Sequence, residues 1–448
     1  MKKEVTFTEG KIMRPLILFA LPVLLALFLQ AMYGAVDLLI VGKFATSADV
    51  SAVSTGSQIM MTLTNLVSSF AMGTTILLGQ QIGSGRKKEG GRTVGTAIVM
   101  FAIIAVVLSI VLVIFAPQIT GIMNAPEEAF SQTVEYVRIC GGGMLVIVAY
   151  TLIGCIFRGL GDSRTPLITV MIACACNIAG DLILCAGFNL GTRGAAIATV
   201  FAQIVSVIVS FLLIRKKELP FTFEKADLRI HGSTFRKVVG LGAPIALQDL
   251  FVSVSFLIIL AIVNSMGVIA SAGVGVAEKV CAFIMLISSA FMQSMSAFVA
   301  QNYGAGHMDR ARKALHYGTA VSLGIGVLMF FISYFYGAAL AGIFSPDGAV
   351  IAAAADYLRA YAIDCMLTAV FFCYIGFYNG IGKTKFVMIQ GIIGAFGVRI
   401  PVSYIMSRQA GATLFQIGLA TPMSSAVQLL LCLGFMLYIR HKSDRECR

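Results

Sequence analysis

The chain has 448 residues, of which 58% are hydrophobic and only 12% charged, and its mean hydropathy is +0.91. Soluble domains carry about 25% charged residues, so these figures exclude a soluble enzyme and point to lipid as the main solvent. The net charge of +12 suggests nucleic acid only until the placement of the charges is considered.

The first residues, MKKEVTFTEGKIMR, are basic and run into about 25 apolar residues. That run is too long for a signal-peptide core and has no small-residue cleavage site after it, so it reads as a retained span. A membrane helix needs about 20 apolar residues. Twelve such runs follow in order, near 15–40, 52–80, 93–116, 137–157, 167–186, 194–214, 238–264, 272–300, 315–340, 357–378, 386–406 and 416–439. The fold expected is therefore all-α and polytopic, with twelve transmembrane helices.

Polar residues inside these runs are few and patterned. In the first span Gln30, Tyr33 and Asp37 are spaced i, i+3, i+7 and share a helix face. In the fifth, CNIAGDLILC at 176–185 puts Asn177 and Asp181 at i, i+4, and in the sixth Thr199 and Gln203 repeat that spacing. A carboxylate in hydrocarbon costs on the order of 3 kcal/mol, and intramembrane acids default to function. With alternating spans, Asp37, Asp181 and Thr199 all fall in the outer half, so three helices can bring them to one level. Two carboxylates, an amide and a hydroxyl suit a hard cation such as Na⁺. Equally, burial and a like-charged neighbour favour a carboxyl that holds and releases a proton. A helix-to-helix hydrogen bond is the structural alternative. Asp249 and Glu278, in the seventh and eighth spans, have no obvious partner and suit cavity lining or packing. Asp364 and Arg399 lie at matching depth in the tenth and eleventh spans and are expected to form an ion pair.

The basic residues cluster on one side. With the N-terminus inside, the inner segments hold 26 of the 33 Lys and Arg, among them GRKKEGGR, RKKELPFTFEKADLRIHGSTFRK and RHKSDRECR. This positive-inside bias puts both termini in the cytoplasm and explains the charge without nucleic acid. The ten cysteines include no CxxC pair and read as packing residues. GxxxxGKS is absent, so no ATP site drives the protein. DDxxD is absent as well, against a membrane-embedded transferase.

The two halves repeat at an offset near 221. GQQIGSGRKKEG at 79–90 matches AQNYGAGHMDRA at 300–311, and FRGLGDSRTP at 157–166 matches YNGIGKTKFV at 378–387. NAPEEAFSQTVEYVR at 124–138 matches SPDGAVIAAAADYLR within 344–359, allowing one extra residue, and PVLL at 22 matches PIAL at 244. The expected division is residues 1–214, a cytoplasmic connector 215–237, and residues 238–448, two parallel six-helix bundles.

These motifs in this order resemble the multidrug and toxic compound extrusion family over about Ile12 to Arg440. They are P-x7-Q-x2-Y-x3-D from Pro22 to Asp37, Q-x-x-G-x-G-R after the second span, RGLGDSRTP after the fourth, N-x-x-G-D in the fifth, and the glycine echoes in the second half. The resemblance implies a cation-coupled antiporter, not an enzyme, that exports amphipathic, usually cationic, compounds across the cytoplasmic membrane against Na⁺ or H⁺. It also implies that Asp37, Asn177, Asp181 and Thr199 are the ligands of an N-lobe cation site. Another branch carries a Glu about eight residues beyond the Pro of the seventh span, where this chain has Val252, with Ser253 and Ser255 beside it. No cofactor beyond the coupling ion is expected. The expected partners are small amphipathic substrates and membrane lipid, and the expected state is a monomer. A lipid-linked-precursor flippase is the alternative. Its cavity should be strongly cationic to hold pyrophosphate, whereas Arg399 is the chief inward-facing cation here.

Overall fold

A computed structural model of the protein describes residues 7–409 and 411–446. The basic residues at positions 2 and 3, and the last two residues, lie outside them. No strand occurs among the described residues. Among them, eleven helices are long and apolar enough to cross a membrane, or twelve with the bent pair Glu127–Gly142 and Met144–Leu160 taken as one span.

The residues divide into two compact units. The first holds Leu21–Ala243, and the second holds Pro244 onward together with the segment that ends at Ala20. The boundaries fall inside two helices, each one or two residues from the prolines that the repeat aligns, Pro22 and Pro244. Residues 215–237 therefore lie with the first unit, and the first turns of the chain lie with the second.

The helices of the first unit are α1 (Met13–Phe44), which begins in the second unit, α2 (Ser47–Gly83), α3 (Lys87–Ile114), α4 (Ala116–Ile122), α5 (Glu127–Gly142), α6 (Met144–Leu160), α7 (Arg164–Asp181) and α8 (Gly191–Arg215). Helix α9 (Gly232–Asn264) starts there and continues in the second unit. That unit adds α10 (Val268–Gly304), α11 (Met308–Gly342), α12 (Gly348–Gly380), α13 (Thr384–Ile392), α14 (Ile400–Ser407), α15 (Leu414–Gly418) and α16 (Ala420–Glu446). Several helices exceed the apolar runs that announced them, because a helix continues past the hydrocarbon wherever its ends are capped. Thr46 and Asp49 form a capping box at the start of α2, Asp347 accepts from the N–H groups of Ala349 and Val350, and Thr413 and Gln416 cap α15 reciprocally.

The fourth span is not one straight helix. Helices α5 and α6 meet at Gly143 with a 57° bend. A Cβ there would stand 2.6 Å from Val200 of α8, so the glycine lets α8 close in.

The turns preserve the repeat in their backbone. Gly85 (φ +71°) follows α2 and Gly306 (φ +77°) follows α10. Gly161 (φ +82°) follows α6 and Gly382 (φ +77°) follows α12. Each pair is 221 residues apart (306 − 85 and 382 − 161). All four need the left-handed region, which glycine occupies without Cβ strain.

Candidate functional site

The acids of the first unit do converge. Asp37 is 3% exposed and both Asn177 and Asp181 are fully buried. Each sits on its helix as the spacing requires: Asp37 on α1, Asn177 and Asp181 one turn apart on α7, Thr199 on α8. The Asp37 carboxyl faces the side chains of Asp181, Asn177 and Thr199, and the Tyr33 hydroxyl faces Thr199 and Asp37. Close as they are, they leave six oxygens without a hydrogen bond: Asp37 Oδ1, both carboxylate oxygens of Asp181, Asn177 Oδ1, Thr199 Oγ1 and the Tyr33 hydroxyl; Asn177 Nδ2 is unpartnered as well. Buried polar atoms in native structures are nearly always paired. The orphaned oxygens, hard donors around two carboxylates, fit a cation or a proton.

Asp181 closes α7, and the next six residues, Leu182–Gly187, continue as a π-helical turn. Such turns widen the backbone spiral, displace the carbonyl register and recur at functional sites. Nothing in the apolar sequence LILCAG announces one.

One residue of this site escaped the sequence reading. Tyr136 on α5 is 2% exposed, and its hydroxyl points toward Thr199 and Cys140. Its ring fills the space over Gly56 of α2, where a Cβ would stand 2.4 Å from it. A usable signal existed: Tyr136 and Tyr357 are aligned by the repeat, 221 residues apart (357 − 136). The supporting residues differ in their setting. Gln30 is exposed on α1 and donates to the Tyr150 hydroxyl at 3.3 Å. Gln203 is half-buried one turn beyond Thr199, with Oε1 unpartnered.

The second unit has a polar cluster of different character. Asp364 accepts from Thr368 at 2.8 Å and faces Ser425. Arg399 is 5% exposed, donates to Ser255 Oγ at 3.0 Å and lies 4.5 Å from the centre of the Phe256 ring. The expected Asp364–Arg399 ion pair is not formed. The two act on each other through space, but no contact within 4.0 Å joins them. Matching depth on neighbouring helices fixed their level and not their azimuth. Ser255 and Phe256 of α9 claim the guanidinium instead. Arg399 is also the last residue of a second π-helical segment, Ile393–Arg399. Glu278 is half-buried with Oε1 unpartnered, and it stands near Cys281 and Tyr357. Asp249 is exposed on α9.

The MatE family model matches residues 22–183 and again residues 244–405. Among curated proteins, the "Probable multidrug resistance protein YoeA" of Bacillus subtilis is 26% identical, covering 98% of this chain and 96% of that protein. The "Multidrug export protein MepA" of Staphylococcus aureus is 22% identical over 91% of this chain and 90% of its own. Among solved structures, an outward-facing multidrug resistance MATE family transporter of the MOP superfamily shares the fold at a TM-score of 0.91. It is 18% identical, and the match covers 98% of this chain and 99% of that one. Matched by its model once in each half, the chain belongs to the MatE family, whose members are membrane transporters and not enzymes.

Proposed function

We propose that this protein exports amphipathic, cationic compounds across the cytoplasmic membrane in exchange for Na⁺ or H⁺, with Asp37, Asn177, Asp181 and Thr199 as the coupling site. The carrying observation is the buried pair Asp37 and Asp181, three of whose four carboxylate oxygens have no hydrogen-bond partner. The names of the relatives, multidrug resistance and multidrug export, support the substrate class.

The chemistry follows from charge. Two carboxylates close together in a low dielectric repel strongly when both are ionised. A bound cation or proton removes that repulsion and holds α1, α7 and α8 together. Loss of the ion frees α1 to take another path. Compound and ion then favour different conformations, which is the thermodynamic requirement for exchange. Tyr136 and Tyr33 face Thr199 and complete the wall of the cluster beside it.

The test is transport in proteoliposomes with Na⁺ and pH gradients imposed separately, on the parent and on Asp181→Asn. The substitution keeps size and hydrogen bonding but removes the charge. It is expected to fold and to abolish gradient-driven export. Asp37→Asn should do the same, and the double variant should be no worse than either single, because the two act as one site. Export by Asp181→Asn at the parent rate under the same gradient would remove the coupling role and leave Asp181 a structural hydrogen-bonding group.

A further inference from the structure

The segment ahead of α1 is fastened in a way that its composition does not suggest. Phe7 is 2% exposed, with its ring 5.1 Å from that of Phe19 and 5.0 Å from that of Phe298. One side chain, Arg310 at the start of α11, holds the backbone behind it. Its Nε donates to the Phe7 carbonyl at 2.9 Å, Nη1 to Gly10 at 2.6 Å, and Nη2 to Glu9 at 2.8 Å and Lys11 at 3.3 Å. Asn302, fully buried at the end of α10, adds a bond to the Phe7 carbonyl at 3.2 Å. Leu16, Phe19 and Ala20, the first turns of α1, are buried too. All these groups belong to the second unit, whereas α1 from Leu21 onward, with Asp37 near its far end, belongs to the first.

The other shared helix is treated alike by different means. The segment ahead of α9 lies across α3 in the first unit. Phe221 packs on Gly90, and a Cβ on Gly91 or Gly95 would stand 2.0 Å from the carbonyl oxygen of Thr222 or Asp227. Thr96 Oγ1 donates to the Arg229 carbonyl at 3.3 Å. The repeat did not copy the arginine clamp. Position 89, the counterpart of 310 (310 − 221), is Glu89, which pairs with Arg86.

We propose that residues 7–11 and 221–231 are two straps that tie the first turns of α1 and α9 each to one unit while the rest of the helix belongs to the other. Arg310 is the anchor of the first strap, and the strap passes any shift of α1 at Asp37 into the second unit. An arginine suits the task because its planar fork reaches several carbonyls at once, which a lysine ammonium cannot do. The role in transport rests on the proposed function; the fastening itself does not.

The full-length protein is compared with Arg310→Ala, Arg310→Lys and Phe7→Ala. Trypsin cleavage after Lys11, identified by mass, reads release of the strap. Stabilisation by Na⁺ or by acid reads the site at Asp37 and Asp181. Proteoliposome transport reads the consequence. The expected result is cleavage about tenfold faster in all three variants, as for a segment moved to the low-stability end of the protein. Ion stabilisation should stay as in the parent, and transport should fall roughly fivefold or more, as for a defect in a conformational step. Phe7→Ala leaves Arg310 in place, so it carries the test if the arginine variants fail to fold. Unchanged cleavage in the variants would overturn the clamp. Fast cleavage with parental transport would overturn its mechanical role. A parent that moves no compound in either gradient would overturn the proposed function instead, and the cleavage arm then decides the strap alone.

Discussion

At the scale of single residues, the polar positions inside the membrane were legible because they are rare. Helical spacing alone put Asn177 and Asp181 on one face, and alternation of spans put Asp37 and Thr199 at their level. Spacing does not report what a side chain meets on a neighbouring helix, which is why Tyr136 was missed and why Asp364 was assigned the wrong partner. The setting of Arg399 gives a prediction that separates stacking from ion pairing. Arg399→Lys keeps the charge but loses the planar contact with Phe256 and the bond to Ser255. It should cost about 1–2 kcal/mol of stability, the size of a desolvated cation–π contact. Phe256→Leu should cost a similar amount, and the two together no more than the larger, since they remove one interaction. Denaturation in detergent of the two singles and the double measures this. A neutral Arg399→Lys would show that the charge alone matters, as an ion pair with Asp364 requires.

At the scale of elements, spans and turns were read well and bends poorly. Glycine turns leave a sequence mark, because φ near +70° to +80° at Gly85, Gly161, Gly306 and Gly382 excludes most other residues. The π-helical turns that follow Asp181 and end at Arg399 leave none, since, Arg399 apart, their residues are as apolar as those around them. RGLGDSRT shows how a turn motif acts as a fastening. Asp162 accepts from the N–H groups of Arg164 and Thr165 at 3.0 and 3.1 Å and from the Thr165 hydroxyl at 2.6 Å, and it pairs with Lys217 beyond the end of α8. Burial alone would raise its pKa, but the bonds from Lys217 and Thr165 outweigh that and hold the carboxyl below its usual value. A carboxyl lowered in the folded state stabilises fully above the unfolded value of about 3.9. That contribution is lost as the pH falls through the lowered folded value. Lys217 is 40% exposed, so water screens the pair, and Asp162→Asn should cost only about 1 kcal/mol from roughly pH 5 to pH 8. The gap between parent and variant in thermal unfolding should begin to shrink below about pH 4 and close below the lowered folded value. A gap that does not shrink as the pH falls below about 4 would assign the effect to shape and not to charge.

At the scale of the whole molecule, the repeat and the count of spans came from the sequence, while the division into units did not. The sequence breaks at the polar connector because charge changes there. The contacts break inside α1 and α9, beside Pro22 and Pro244, because each helix packs its first turns in one unit and its remainder in the other. Orientation follows from charge alone, and we expect both termini inside the cell. Helix α2 offers the cleanest reading. Its 37 residues extend about 55 Å at 1.5 Å per residue, well beyond a hydrocarbon core of about 30 Å. Its ends therefore stand in water on opposite sides. Ser47 and Ser84 mark those ends and are exposed. Ser345 lies between α11 and α12, and Ser233 in the first turn of α9. Single cysteines at these positions, in a background with the native cysteines replaced, are probed with a thiol reagent that does not cross membranes. Positions 47 and 345 should label in intact cells, because an odd number of spans separates each from the N-terminus. Positions 84 and 233 should label only after permeabilisation, because an even number does. Labelling of 233 and protection of 345 in intact cells would invert the orientation and, with it, the direction of export.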